Sequence, residues 1–242
     1  SDLYIVTYND GNGAVTVSPN PTASPVIISG LTAGSTYDIT VQADCGNGDV
    51  SPNAVPVTVS TPCNALTVFP HTEDFTFGNA SLNCWTIVNQ GSSNGWNFTI
   101  NNEALIIYEY NFHDDYLISP TWNVQNGTSN RVTFEARNSS SFYAEDFDVL
   151  LSTTGTSPAD FTIVLDSDVV PPTTNQSYTY DLSAYDGDDV YLAIYSETYA
   201  QDGLYIDNFV IDAPPSCLDV ENVNASATDA TTVELTFVDT LN

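Results

Sequence analysis

Short apolar runs alternate with polar residues along nearly the whole chain, broken by Gly, Pro, Asn, Ser and Thr. The breaks fall roughly every 8 to 12 positions, the rhythm of an all-β sandwich. No stretch carries a convincing helical period. Within residues 1–62 the pattern predicts strands at "LYIVTY", "AVTVS", "PVIISGL", "TYDITVQAD" and "AVPVTVST". A tight Asn9-Asp10-Gly11-Asn12-Gly13 turn joins the first two. At the far end, "LDVENVNAS" and "TVELTFVD" read as two more, with Val233, Leu235 and Phe237 alternating in the second.

Residues 63–213 carry their own series of motifs: "FPHTEDFTFGNASLNCWTIVNQGSSNGWNFT", "DDYLISPTWNV", "DVLLSTTGTSPADFTIVL", "YDLSAYDGDDVYLAIYS" and "GLYIDNFVID". Together they resemble the cleaved-adhesin or choice-of-anchor jelly-roll domains of secreted Bacteroidetes proteins, including the adhesin modules of gingipains, and are related in plan to MAM domains. One departure is Thr76 after Phe75, where the family usually has Glu.

The stretch "ISGLTAGSTYDITVQADCGNGDVS" resembles the second half of a fibronectin type III domain. Leu31, Ser35 and Tyr37 match that family's tyrosine corner, in which the hydroxyl bonds back to the backbone. "PPSCLDVENVNASATDATTVELTFVD" looks like the opening of the same kind of domain, and residues 214–242 written onto residues 1–62 give one complete pattern. The expected architecture is all-β: a fibronectin type III sandwich split between the two ends, flanking a jelly-roll sandwich. This implies a repeat of a tandem array, or neighbouring copies that complete each other's sandwich; a boundary clipped by proteolysis is the plainer alternative. An unpaired strand with an exposed apolar face is otherwise an aggregation hazard.

Composition narrows the function classes. A hydrophobic content of 42%, with 14 Tyr, 11 Phe and 3 Trp, is that of a folded protein. Thirty-one acidic residues face two basic ones, Arg131 and Arg137, for a net charge of −29. Such a chain repels nucleic acid and anionic membrane surfaces, and its self-repulsion calls for salt or bound cations. No apolar run is long enough to span a membrane as a helix, and no signal-peptide pattern opens the chain, so it reads as a mature segment or a fragment.

Cys45, Cys63, Cys84 and Cys217 form no Cys-x-x-Cys pair, and His71 and His113 lie far from them in sequence, so structural disulfides of an exported protein fit better than zinc. The MAM-like plan implies Cys63 with Cys84. The composite fibronectin domain implies Cys45 with Cys217, across neighbouring repeats. Sequons begin at Asn79, Asn97, Asn126, Asn138, Asn175 and Asn224.

"GSSNG" matches a nucleophile elbow around Ser93, but a strand follows where the elbow needs a helix. Acidic pairs are too numerous to single one out, so the chain does not read as an enzyme. The acidic turn around Asp186, Asp188 and Asp189 lacks EF-hand spacing. The jelly-roll resemblance implies Ca²⁺ where the first and last strands meet, held by Glu73, Asp74 and Asp207, with Asp114 or Asp115 from "HDDYLIS"; Asp115 is taken as the fourth ligand. Asp207 interrupts an apolar strand, and a buried carboxylate needs a partner or a metal. In "IIYEYNF", Tyr108, Tyr110 and Phe112 share one strand face, as a stacking platform for glycans or as ordinary core. Trp85 and Trp96 are expected inside the jelly roll; Trp122 is left open.

The expected role is a repeating structural or adhesive unit of a secreted, cell-surface adhesin or filament, joined end to end to copies of itself and stabilised by calcium. The alternative is a carbohydrate-binding accessory module of a secreted polysaccharide-degrading enzyme.

Overall fold

A computed structural model of the chain describes residues 3–91, 94–108, 110–215, 221–228 and 231–238. It is nearly all β. Five strands fall in the N-terminal region: β1 Leu3–Asn9, β2 Ala14–Thr16, β3 Thr36–Gly46, β4 Asp49–Val50 and β5 Val57–Ser60. They form one antiparallel sheet in the order β2-β1-β3-β4, with β5 also on β3. The β1–β2 turn is held by Asn9, whose Oδ1 accepts from the Gly11 and Gly13 amides. Tyr37 is buried, and its hydroxyl accepts from the Thr32 amide at 2.9 Å.

"PVIISGL" does not form a strand. Pro25 removes one ladder donor, and no strand of the N-terminal sheet pairs with residues 25–31. Ile27 is accordingly 87% exposed.

The central region contains β6 His71–Glu73, β7 Thr86–Asn89, β8 Asn97–Phe98, β9 Ala104–Ile106, β10 Asp115–Ile118, β11 Trp122–Asn123, β12 Arg131–Asn138, β13 Phe147–Ser152, β14 Ile163–Val169, β15 Gln176–Asp181, β16 Asp189–Ser196 and β17 Leu204–Asp212. They make two six-stranded sheets. One runs β14-β13-β16-β10-β7 with β11 on β16; the other runs β15-β12-β17-β9-β8 with β6 on β17. Inward-facing residues of both sheets build one core. Phe134 lies 5.8 Å from Phe147 and 6.4 Å from Phe209, and Trp85 meets Phe209 at 5.0 Å. All three tryptophans are buried, Trp122 included; its indole N–H donates to the Ser129 carbonyl at 3.1 Å.

Cys63 and Cys84 are joined in a disulfide where the N-terminal sheet meets the sandwich. Gly34 approaches it closely, with φ +67, so that a Cβ there would lie 2.7 Å from Cys63 Sγ. Cys45 is exposed; Cys217, its expected partner, and Ser93 lie outside the described residues.

The last two strands, β18 Glu221–Ala227 and β19 Val233–Val238, pair with each other and, among the described residues, with no other strand. Among the described residues no helix is long and apolar enough to cross a membrane.

Candidate functional site

Two places in the central sandwich gather chemistry. The first is the end of β6, where it runs beside β17 with Glu73 opposite Phe209. Phe75 takes a left-handed conformation (φ +48) and its amide donates to Glu73 Oε1 at 3.0 Å, so the buried Glu73 ties this turn. Asp74 is exposed and accepts from the Thr76 amide and hydroxyl, which hold its carboxyl below the usual range.

A register shift in the β12–β17 ladder places Thr133 opposite Val210 but Glu135 opposite Asp207. The extra residue on β17 sits at the left-handed Asn208 (φ +51), and Ile206 and Phe209 are both buried as a result. Asp207 points outward with Tyr205 and is half-exposed, not the buried carboxylate expected of an acid that interrupts an apolar strand. Its carboxyl is pushed up by partial burial and then by Glu103, Glu135 and Asp74. Asp115 is not part of this group: it lies in β10 of the opposite sheet.

Among the described residues no three His, Cys, Asp or Glu side chains are gathered as a metal set. The donors around Asp207 are nonetheless hard oxygens, the chemistry calcium takes.

The second place is on the other sheet. His113 Nδ1 lies 2.7 Å from Asp115 Oδ2, and Nε2 lies 3.7 Å from Glu145 Oε1. All three side chains are buried. Ser196 and Thr198 hydroxyls donate to Glu145 Oε2, while Oε1 has no hydrogen-bond partner. Burial pushes the Glu145 carboxyl from 4.5 up to about 7, against the opposing pull of His113.

The sequence named Asp115 as a ligand but passed over Glu145. The signal was there: Glu145 has the parity of Phe147, Val149 and Leu151, so it points inward with them. Asn138 is likewise buried, and its amide donates to the Glu145 and Pro171 carbonyls. That sequon is closed to glycosylation in the folded chain.

Above this trio opens a cleft of about 850 Å³ walled by Phe112, His113 and Tyr199, with Asp114, Asp146 and Glu197 among its carboxylates. "IIYEYNF" does not continue as a strand beyond Ile106, because the backbone leaves the ladder and Phe112 returns only as a single bridge to Tyr199. Its aromatics are consequently outside: Tyr110 is 68% and Phe112 62% exposed, with Tyr108 also exposed. Phe112 and Tyr110 lie 4.9 and 6.1 Å from Tyr199. Gly91, the first glycine of "GSSNG", lets the chain pass against residues 112–114; a Cβ there would sit 2.6 Å from the Phe112 carbonyl oxygen.

Two six-stranded sheets packed on one core, with an aromatic, acidic cleft, define a β-sandwich module. The chain belongs to the Cleaved Adhesin Domain family, whose model matches residues 71–191, half of its length. It is similar to the K3 cleaved adhesin domain of Lys-gingipain from Porphyromonas gingivalis, at 22% identity and a TM-score of 0.47, covering 60% of this chain and 98% of that one. The K1 domain of the same protein gives 21% identity and a TM-score of 0.46, covering 61% and 99%. A carbohydrate-binding module of the β-sandwich superfamily gives 15% identity and a TM-score of 0.37, covering 85% and 83%. No curated protein matches the chain.

Proposed function

We propose that the chain is a non-catalytic structural and adhesive unit of an extracellular surface protein, joined to its neighbours by completing a fibronectin type III sandwich. One observation carries this reading: two bare apolar surfaces that suit each other. On the N-terminal sheet, Tyr4, Val6, Ile39 and Val41 with Val26 and Ile28 border an apolar groove of about 420 Å³. On the β18–β19 hairpin, Val223, Val233 and Leu235 are exposed. A sandwich needs two sheets to make a core, and each of these regions supplies one. The Tyr37 hydroxyl bond to Thr32 supports the fibronectin type III assignment. The free segment 25–31 is the edge on which a neighbour's β19 would pair.

Sedimentation velocity over a range of concentrations tests this. Oligomers that grow with concentration, and that disappear in Val233→Asp/Leu235→Asp, are expected. A chain that stays monomeric throughout would sink end-to-end assembly between separate subunits.

Calcium belongs to the same proposal. Asp207 with Glu73 and Asp74 would hold it, supported by the like charges of Glu103 and Glu135 that crowd Asp207. Affinity on the order of 0.1 to 1 mM is expected for an extracellular module. A rise in melting temperature with calcium, absent in Asp207→Asn, is the test.

A second reading, a carbohydrate-binding module, has its own support in the exposed Tyr108, Tyr110 and Phe112 beside the acidic cleft. Binding of oligosaccharides to the chain in solution tests it.

A further inference from the structure

The cleft above His113 carries more information than the presence of aromatic rings, because its charge is one-sided. Asp114, Asp146, Asp168 and Glu197 all line it, with Gln201 as its amide. Neither arginine answers them. Arg131 is bound through two nitrogens to Asp212, and Arg137 binds Glu103 and lies over the Tyr205 ring. Both are on β12, in the opposite sheet. His113 is the one basic side chain on the wall, and Asp115 and Glu145 flank it. Beneath the floor, Glu145 keeps a buried oxygen with no hydrogen-bond partner against His113 Nε2.

We propose that this cleft binds an uncharged, hydroxyl-rich glycan and excludes anionic ones. The inference rests on the carbohydrate-binding reading and adds the class of ligand. Phe112 and Tyr199 offer the face on which the C–H side of a sugar ring packs, and Tyr110 extends the row. The carboxylates accept hydrogen bonds from sugar hydroxyls, and such charge-assisted bonds are roughly twice as strong as neutral ones. A uronate, sialate or sulfate brings its own negative charge into the same field, with no cation to receive it. Rejection by unpaired charge is a usual source of specificity. Asp146 already shows the pressure: burial, then Asp168, Asp148 and Glu197, push its carboxyl up.

A cationic peptide would also suit the charge. The rings argue against it as the main occupant, since Tyr110 and Phe112 are tilted 59° and 44° from Tyr199 along an open row. An ammonium cage instead needs ring faces turned toward one point.

The test is calorimetric titration of the full chain with a length-matched panel: uncharged gluco-, galacto- and xylo-oligosaccharides, oligogalacturonate and alginate oligosaccharides, and oligolysine. At low salt an uncharged sugar should bind at least about tenfold more tightly than any uronate, and the gap should narrow as salt screens the carboxylates. Phe112→Ala/Tyr199→Ala, which removes two exposed rings, should lose at least about tenfold in affinity with the melting temperature little changed. Asp168→Asn/Glu197→Gln should weaken the uncharged sugar and relieve the uronate. Uronates that bind as well as their uncharged counterparts would overturn the charge selection and leave the carbohydrate reading standing. Silence across the whole sugar panel, with or without oligolysine binding, would overturn both. Sugar binding that survives removal of the rings would overturn the cleft as its place.

Discussion

Strands β12 and β3 are written in the same alternating style and meet different ends. In β12, Val132, Phe134, Ala136 and Asn138 point inward and each is at most 1% exposed, because a second sheet covers them. In β3, Tyr37 is buried, Ile39 is partly covered and Val41 is 38% exposed, since its apolar face borders an open groove. Alternation specifies which face of a strand is apolar; burial also requires something to pack against it. The central region carries both halves of its sandwich in one run of residues. The N-terminal sheet leaves an apolar face bordering an open groove, and the hairpin β18–β19 exposes Val223, Val233 and Leu235.

Mutations should separate the two regions sharply. Phe209→Ala, which empties the middle of the closed core, is expected to cost about 3 to 5 kcal/mol in denaturant unfolding. Val41→Ala on the open sheet should cost less than about 1 kcal/mol in the monomer, because its side chain is already partly solvated. If the two costs prove equal, the contrast between a covered and an open face is wrong. Removing the disulfide with Cys63→Ala/Cys84→Ala should follow at about 2 to 4 kcal/mol.

The pH dependence should come mainly from the closed region. The Glu145 carboxyl titrates near 7 in the folded chain against 4.5 in its ordinary state. Between those values the folded chain holds a proton that the unfolded chain has released, so stability falls as pH rises through that window. The loss should be on the order of 2 kcal/mol, read as the change in unfolding free energy between pH 5 and 8. Glu145→Gln should flatten that slope, and an unchanged slope would assign it to general self-repulsion instead. The open sheet again gives a small effect: Tyr37→Phe, which strands the Thr32 amide, should cost about 1 kcal/mol by the same measurement.

Much of this architecture was legible where the period-2 pattern ran unbroken, as in "RVTFEARN" and "DVYLAIYS". It failed where the ladder is irregular. The bulge at Asn208 lets both Ile206 and Phe209 face inward and leaves Asp207 half-exposed, and nothing in "YIDNF" announces the extra residue. "PVIISGL" has strand composition, but a strand also requires a neighbour, which a single sequence does not reveal. The cleft escaped for a different reason. Its walls come from the segments around residues 112, 146, 168 and 197, and only the pairing of β13, β14, β16 and β10 brings them together. Even so, the exposed Tyr110 and Phe112 were named from sequence, and Glu145 was readable from its inward parity.

The Cys63–Cys84 bond also decides how the module would carry tension. The crosslink spans β6, which lies between the two cysteines in sequence. A pull arriving along the chain at Cys63 therefore crosses directly to Cys84 and leaves residues 64–83 slack. Without the bond, the load would pass the Leu66 bridge to Trp122 and then peel β6 from β17, starting where His71 faces Ile211. With it, the first strand to feel the force is β7 in one sheet, while the exit strand β17 belongs to the other. The load then enters through β7 and its ladder with β10, and the β6–β17 ladder is spared.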